Sequence, residues 1–572
     1  MNDSPPPGPP AWVCKRDGTL VPFDADKISR ALFAATEELG RPDAFLAREL
    51  ADGVVHFLTI ESEGQTPTTA QIAELVVKVV RELGQPALSE AFARVAQKRQ
   101  RAAPRAGAAE KPRPASPATP PGEVVLRFTA GTPLSTVLHD CTREYTLQSV
   151  YTRDLLAARG AGLLTLTGLE TPNELAGCVL GPAAGLIAEL EELRRFVGGL
   201  VVLDGPEYLL AAHGQTDTGP FVRELAIGLR LTGLHAVVNL NSATPPSWAG
   251  ELAEGPLFAG RQRTLPTEAL PRLAGELLHE LLHPPSSISG SGLWRIDWHL
   301  GERDFDEEPA RRELLQRLAR LALEGAPLAF VFDRPRRPIA LAEGIHRQHP
   351  AALLTIGLHL PRLAEQPGID GDPNKYLSKL GSLARLALSA GVQKREYLRR
   401  LERGRPRPAS EGPALTSGFL LDRARLVVAP VGLDAVVRLF FKKGLSAGGA
   451  ALDFGKQIVQ RLRDVLRQDG RYAHLDTCLD GPLDFRLEEA KDAWPALESV
   501  AGLTAWDATA ALKNQLRSAG VLHDVAEHGT LALFLPEKPT PEQVGDWLRS
   551  AWQQTDVVRL RLVRDVSSVL GN

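Results

Sequence analysis

Residues 279 to 285, HELLHPP, place His279 and His283 four apart with Glu280 between them. On a helix that spacing puts two imidazoles on one face, where they can hold a divalent metal while the carboxylate polarises a metal-bound water. This is the chemistry of a zinc-dependent hydrolase. The surroundings argue against it, because Pro284 and Pro285 end the helix directly after the second histidine and no glycine and third histidine follow. Glu302 or Glu307 would have to be recruited as third ligand. The expectation is a partly exposed helix face and no bound metal, with the hydrolase kept as an alternative.

Cations offer a second chemistry. Lys15 and Arg16 sit in the turn-like stretch KRDG, and Lys27 lies one turn into a helix expected to begin near Asp24 or Asp26. Strand-end cations, a further cation on the helix and the free N–H groups of that helix can converge on a triphosphate. A Walker loop is absent: AALDFGKQ, around Gly455 and Lys456, lacks the first glycine and the hydroxyl after the lysine. Cys14, Cys141, Cys178 and Cys478 lie far apart with no CxxC pair, which suggests neither a disulfide framework nor a four-cysteine zinc site. His139, Asp140 and Cys141, read as a strand, point to alternating faces and make no dyad. His474, Asp476 and Cys478 can share one strand face, with nothing to orient them for catalysis.

These residues need elements to position them. With 572 residues, 44% hydrophobic and 24% charged, the chain can bury large cores and should divide into more than one domain. A formal net charge of -3 gives no polybasic footprint, so neither nucleic acid nor membrane is expected as a direct partner. Arg399, Arg400, Arg403, Arg405 and Arg407 read as a solvated helix end and loop. No secretory signal or membrane span is legible, and the expected location is the cytoplasm. Residues 1 to 10 read as a disordered tail, 11 to 101 as a small unit, 102 to 122 as a Pro/Ala-rich linker and 123 to 572 as a large unit.

In the small unit, WVCKRDGTLVPF turns at Asp17-Gly18 as a β-hairpin, and four helices follow. Ile28, Leu32 and Ala35 give the first an apolar face, the second runs from about Ala44 to Leu58, and Thr68 or Thr69 caps the third. The fourth carries Leu88, Phe92 and Val95 and ends in Lys98, Arg99 and Arg101. In order and residues this unit resembles the ATP-cone, the allosteric nucleotide-binding domain of ribonucleotide reductases. Val13, Lys15, Arg16, Asp17, Gly18, Phe23, Asp24, Asp26, Lys27 and Ile28 carry the likeness, with Thr69 and the basic fourth helix. The resemblance implies that Lys15, Arg16, Lys27 and Lys98 contact phosphates, that Asp24 and Ile28 approach the base or ribose, and that Thr69 helps to close the site. ATP or dATP is then the effector, and Val21 stands where some members place an acidic base-contacting residue.

The large unit alternates short strands with helices, which favours an α/β barrel or wound sheet. Strands are expected at 162–169, 199–205, 235–241, 328–333, 353–360, 424–431 and 529–536, with a long helix from about Asn374 to Glu402. VVNLNSATPP, PLAFVFDRP, LTIGLHLPRLAEQPG, KREYLRR and LHDVAEHGTLALFL resemble the anaerobic ribonucleoside-triphosphate reductases. That likeness implies a glycyl-radical-enzyme-like ten-stranded β/α barrel and a possible homo-oligomer. It also implies requirements this chain does not meet. No cysteine lies between Cys178 and Cys478 to become a mid-barrel thiyl radical, although Cys178 falls about where an early partner cysteine belongs. Gly571 lacks the flanks of a radical glycine, and LRLVRDVSSVLGN reads as a frayed end. The expectation is therefore a nucleotide-responsive protein without radical catalysis, the alternative being a divergent active reductase.

Overall fold

The computed structural model describes residues 9–61, 65–102, 134–180, 190–191, 193–194, 196–212, 217–241, 270–283, 294–335, 337–342, 344–346, 348–403, 419–480, 510–535 and 539–563. The linker from 103 onward, the loop at 404–418 and Gly571 lie outside the described residues. Two units emerge, Met1–Leu163 with Gly381–Ala390, and Leu164–Leu380 with Gly391–Asn572. No helix among the described residues is long and apolar enough to cross a membrane.

In the first unit Trp12–Cys14 (β1) and Leu20–Pro22 (β2) pair antiparallel. Their turn closes because the Asp17 carboxylate accepts the Thr19 amide at 3.0 Å and its hydroxyl at 2.6 Å, while Gly18 takes φ +81°, a left-handed value that glycine adopts without strain. Four helices follow: Ala25–Glu38 (α1), Ala44–Glu61 (α2), Thr69–Glu82 (α3) and Pro86–Ala102 (α4). Asp24 caps α1 by accepting the Asp26 amide, and Thr68 caps α3 in a reciprocal box with Gln71. Of the two threonines that could cap α3, Thr68 does so and Thr69 is the first helical residue. The apolar faces of the four helices, Leu32 and Ala35, Val54 and Leu58, Val76 and Val80, Leu88 and Phe92, are buried.

A charged network is buried in the same unit. Arg48 meets Asp26 at 2.5 Å and Asp52 at 3.3 Å. Ser389 donates to Asp26 at 2.6 Å, and Ser382 and Arg385 donate to Asp52 at 2.7 and 2.9 Å. Burial by itself would raise the Asp26 carboxyl, but Arg48, Ser389 and Arg30 outweigh it and hold it below the ordinary carboxylate value. Asp26, one of the residues that identifies this unit, is thus committed to structure. Leu134–Val150 (α5) and Arg153–Gly160 (α6) complete the chain before the second unit. His139, Asp140 and Cys141 therefore lie on a helix and not on a strand. Successive residues there diverge by about 100°, so they still make no dyad.

The second unit is built on one sheet of eleven strands: Leu164–Leu166 (β3), Leu175–Leu180 (β4), Val197–Asp204 (β5), His235–Asn241 (β6), Trp294–Leu300 (β7), Leu328–Phe332 (β8), Ala351–His359 (β9), Ala424–Val431 (β10), Thr477–Leu479 (β11), Thr530–Phe534 (β12) and Arg559–Val563 (β13). Ten run in the order β11-β10-β9-β4-β5-β6-β7-β8-β13-β12, with β3 against β9. Strands β4 to β8 are parallel to one another, as are β9 to β11 and β12 to β13. The first set meets the other two antiparallel, at β4/β9 and at β8/β13. Helices Gly219–Thr232, Leu270–Leu282 and Pro309–Leu323 supply the crossovers of the first set, which parallel neighbours require.

All seven expected strands are present, and β4, β7, β11 and β13 are additional. Strand β13 contains the first residues of the segment expected to fray. The long helix is Pro373–Arg403, and Gly455 and Lys456 lie inside the helix Gly449–Tyr472, where no phosphate loop can form.

Candidate functional site

Lys15 and Arg16 follow β1 and are exposed. The Cys14 amide donates to the Pro67 carbonyl at 3.0 Å and Cys14 bridges Thr68, which sets this strand end beside the N-terminus of α3, where Thr69 is exposed. Lys27 projects from the first turn of α1, its side chain 65% exposed and 4.0 Å from Asp24. Lys15 and Arg16 thus lie at the turn end of the hairpin beside the N-terminus of α3, and Lys27 lies at the N-terminus of α1, which the Phe23 amide ties to the Ala11 carbonyl at the other end; cations beside helix N-termini suit a polyphosphate. Asp24 is partly engaged, since Oδ1 caps α1 and Oδ2 holds Arg30 at 3.2 Å. Ile28 is buried in the core. Lys98 pairs with Glu38 at 3.4 Å, and Arg94 reaches the same oxygen at 3.3 Å. Glu38 follows Lys27 by eleven positions in α1 (38 − 27), or about 16 Å at 1.5 Å per residue. Lys98 is thus held at the opposite end of α1 from Lys27.

A second constellation lies on one face of the large sheet. Register places Val237 beside Arg295, Asn239 beside Asp297, and Asn241 beside His299. His299 in turn stands beside Val331, Val331 beside Arg559, and Arg559 beside Thr530. Residues in register share a face, so one surface carries this polar set. Fully buried Asp297 forms ion pairs with Arg295 at 2.8 Å and Arg559 at 3.0 Å. Burial would raise its carboxyl, but the two guanidinium groups prevail and hold it low.

His299 Nδ1 is 2.9 Å from Asp333. Burial would lower the imidazole, and the Asp333 carboxylate overrides that and raises it. Its Nε2 has no partner among the described residues, and neither side-chain atom of fully buried Asn239 has one. Nearby, Glu207 accepts the Asn241 amide at 3.0 Å and its side-chain nitrogen at 2.9 Å. Burial pushes the Glu207 carboxyl up to about 7 against those hydrogen bonds. A histidine oriented by a carboxylate with its second nitrogen free can exchange a proton with a ligand, and an unpaired buried amide can bind one.

The loop between β8 and β9 packs onto the same face. Leu341, Ala342 and Ile345 form one apolar cluster with Val202, Val237, Ala352, Val427 and Cys478. The Gly344 amide donates to Asp480 at 2.8 Å, and Arg425 donates to its carbonyl at 3.1 Å. Glycine is required there, because φ is +74° and a Cβ would overlap Cys478 Sγ. Gly177 serves the same fit, since its Cβ would stand 3.1 Å from Ile345. Cys178 pairs with Val201 and lies on the face opposite Val202, away from the loop. Burial pushes both thiols up to about 12, with a smaller opposing pull from Arg425 on Cys478. Of the two cysteines that could face the sheet interior, Cys478 does so, although Cys178 is the one its sequence position favours. Asp476 lies 3.3 Å from His349, which gives it a partner other than His474.

His279 and His283 sit at the end of helix Leu270–Leu282, both exposed, with rings 4.6 Å apart. His283 Nδ1 is 2.9 Å from the His279 carbonyl. Among the described residues no three His, Cys, Asp or Glu side chains converge as a metal site.

The hairpin and α1 to α4 constitute an ATP-cone: residues 12–101 match the ATP cone domain family. The large unit has the barrel fold of anaerobic ribonucleotide reductases. The enzyme from Thermotoga maritima in complex with dATP and CTP is similar over 75% of this chain and 83% of its own, with TM-score 0.55 and 11% identity. A further anaerobic ribonucleotide reductase covers 75% and 80%, with TM-score 0.57 and 11% identity. No curated protein matches the chain significantly.

Proposed function

We propose that this is a nucleotide-responsive protein related to anaerobic ribonucleotide reductase, whose cone binds ATP or dATP through Lys15, Arg16, Lys27 and Thr69 and whose barrel works without a thiyl radical. Asp24 completes the site as the cap that orients α1, while Lys98 and Ile28 contribute less directly. The observation that carries the reading of the barrel is the β8–β9 loop. It meets the sheet face with Leu341, Ala342, Gly344 and Ile345, and no residue from Asp333 to Pro350 is a cysteine. His299, which can exchange a proton, and Asn239, which can form hydrogen bonds, occupy the same face. They suit binding or acid–base chemistry on a polar small molecule.

A second reading rests on Cys478, whose sulfur lies against Gly344. In a divergent anaerobic ribonucleoside-triphosphate reductase this thiol, kept protonated by burial, would give its hydrogen atom to a glycyl radical, restoring the glycine C–H, and the resulting thiyl sulfur would then abstract a hydrogen atom from the ribose.

Nucleotide responsiveness is tested by titrating the full-length protein with ATP and with dATP in a calorimeter, with sedimentation velocity run at the same saturation. Saturable binding of at least one nucleotide is expected, accompanied by a change in self-association if a homo-oligomer is the responding species. Heat no greater than dilution for both nucleotides would refute the effector site.

A further inference from the structure

Four arginines meet where the two ends of the sheet order face each other. Strands β11 and β12 are the terminal members of that order, and among the described residues no strand pairing joins them. A cavity of about 410 Å³ lies between them, lined by Thr477, Cys478 and Leu479 on one side and by Ala526, Glu527 and His528 on the other. The volume falls within the roughly 300–1,000 Å³ usual for small-molecule sites.

Arg425 at the head of β10 and Arg463, Arg467 and Arg471 from helix Gly449–Tyr472 also line the cavity. The three helical arginines are four apart, which stacks them along one helix face. Asp476 and Glu527 are the carboxylates in the lining, so four guanidinium groups face two carboxylates. Glu527 is taken by Arg467 at 2.6 Å, and Asp476 is shared with His349. Arg463 donates to the Val525 carbonyl at 2.9 Å and pairs with Asp464 at 3.3 Å.

Arg425 decides the matter. It is 9% exposed and meets the Gly344 carbonyl at 3.1 Å and His528 Nε2 at 3.4 Å, both uncharged groups. Its Nε has no partner, and among the described residues no carboxylate forms an ion pair with it. A buried guanidinium without a counter-charge is costly, and an anion that enters the cavity relieves that cost. The adjacent histidines supply no competing cation. Burial, then the Arg425 charge, push His528 down to about 3 and His346 to about 2, and the two rings stack at 6.1 Å.

We propose that the seam between β11 and β12 is a binding site for a small phosphorylated molecule, with a phosphate seated on Arg425 and Arg471 and flanked by Arg463 and Arg467. The planar fork of arginine matches phosphate oxygens in pairs, which a carboxylate-free guanidinium leaves available. This site is separate from the cone, and it reaches the β8–β9 loop directly, because Arg425 also holds the Gly344 carbonyl.

The test uses the full-length protein carrying Lys15→Ala and Lys27→Ala, which weakens the cone, and inorganic pyrophosphate as the probe in a calorimeter. Saturable binding is expected, weakened at least tenfold by Arg471→Glu and by Arg425→Lys and weakened further by added salt. Arg471 is exposed, so its variant retains the fold even where an Arg425 variant does not. Displacement of pyrophosphate by ATP or by ribose 5-phosphate supports the site and identifies the class of phosphorylated ligand. Absence of saturable pyrophosphate binding, or binding unmoved by Arg471→Glu, overturns the proposal. Either failure is distinguishable from failure of the cone, which is read from ATP binding to protein with the seam arginines intact.

Discussion

Replacing Asp297 by alanine is expected to cost about 3 to 5 kcal/mol of folding stability, the usual loss when one partner of a buried ion pair is removed. Asp297 is wholly buried between Arg295 and Arg559, both within 3.0 Å. Without it two guanidinium groups remain side by side on the inner sheet face and lose the carboxylate they share. Chemical denaturation should show a lower midpoint for Asp297→Ala at neutral pH. Its depressed carboxyl also fixes the sign of the pH dependence. A group whose folded pKa is lowered contributes stability that is present above its unfolded pKa, near 4, and is lost as pH falls through the folded value. The gap between wild type and variant should therefore be widest at neutral pH and narrow in acid. An unchanged midpoint at pH 7 would mean that the trio is not closed in solution.

Lys15→Ala and Lys27→Ala should each weaken ATP or dATP binding by about 1 to 3 kcal/mol, the range for a lost charge-assisted contact. Lys15 is exposed and the Lys27 side chain largely so, so their removal leaves the hairpin and helix core intact. Lys98→Ala should have a smaller effect, because Glu38 already holds Lys98 at the far end of α1. Calorimetric titration of the three variants separates them. Equal losses for all three would place the triphosphate along α1 instead of at the hairpin, and undiminished affinity in the Lys15 and Lys27 variants would remove the site altogether.

The cone was legible because its signals are local. Asp17-Gly18 makes a turn, Asp24 and Thr68 cap helices, and each apolar stripe follows one period. Ile28 shows the limit of that reading, since it is buried in the core and its place beside the ligand rests on resemblance alone. In the barrel, strands that are apolar along their length, such as Ala351–His359 and Ala424–Val431, were visible as continuous hydrophobic runs. Strands β7 and β13 were not. WRIDWHL and RLRLV alternate charged and apolar residues, the pattern of a strand with one face in water, yet Asp297, His299 and Arg559 are buried as well as Ile296, Trp298 and Leu560 on the apolar face.

Arg295, Asp297, His299 and Arg559 were missed for this reason. The period-two alternation itself was the signal that could have found them. Their partnership spans hundreds of residues, and only strand register brings Arg559 beside His299. The roles of Cys178 and Cys478 were opaque for a related reason. A one-residue change of register exchanges the two faces of a strand, and the order of cysteines along the chain says nothing about which of them faces the loop.

The central claim is that the barrel lacks radical chemistry. It is tested most directly by incubating the full-length protein anaerobically with a broad-specificity glycyl radical activase, S-adenosylmethionine, reductant, ATP and the four ribonucleoside triphosphates. Electron paramagnetic resonance and deoxynucleotide analysis are then applied to the same sample. The predicted result is no glycyl doublet and no deoxyribonucleotide above the protein-free control. A doublet, or deoxyribonucleotide formation that disappears in Cys478→Ser, would contradict it and make Cys478 the thiyl residue of an active reductase.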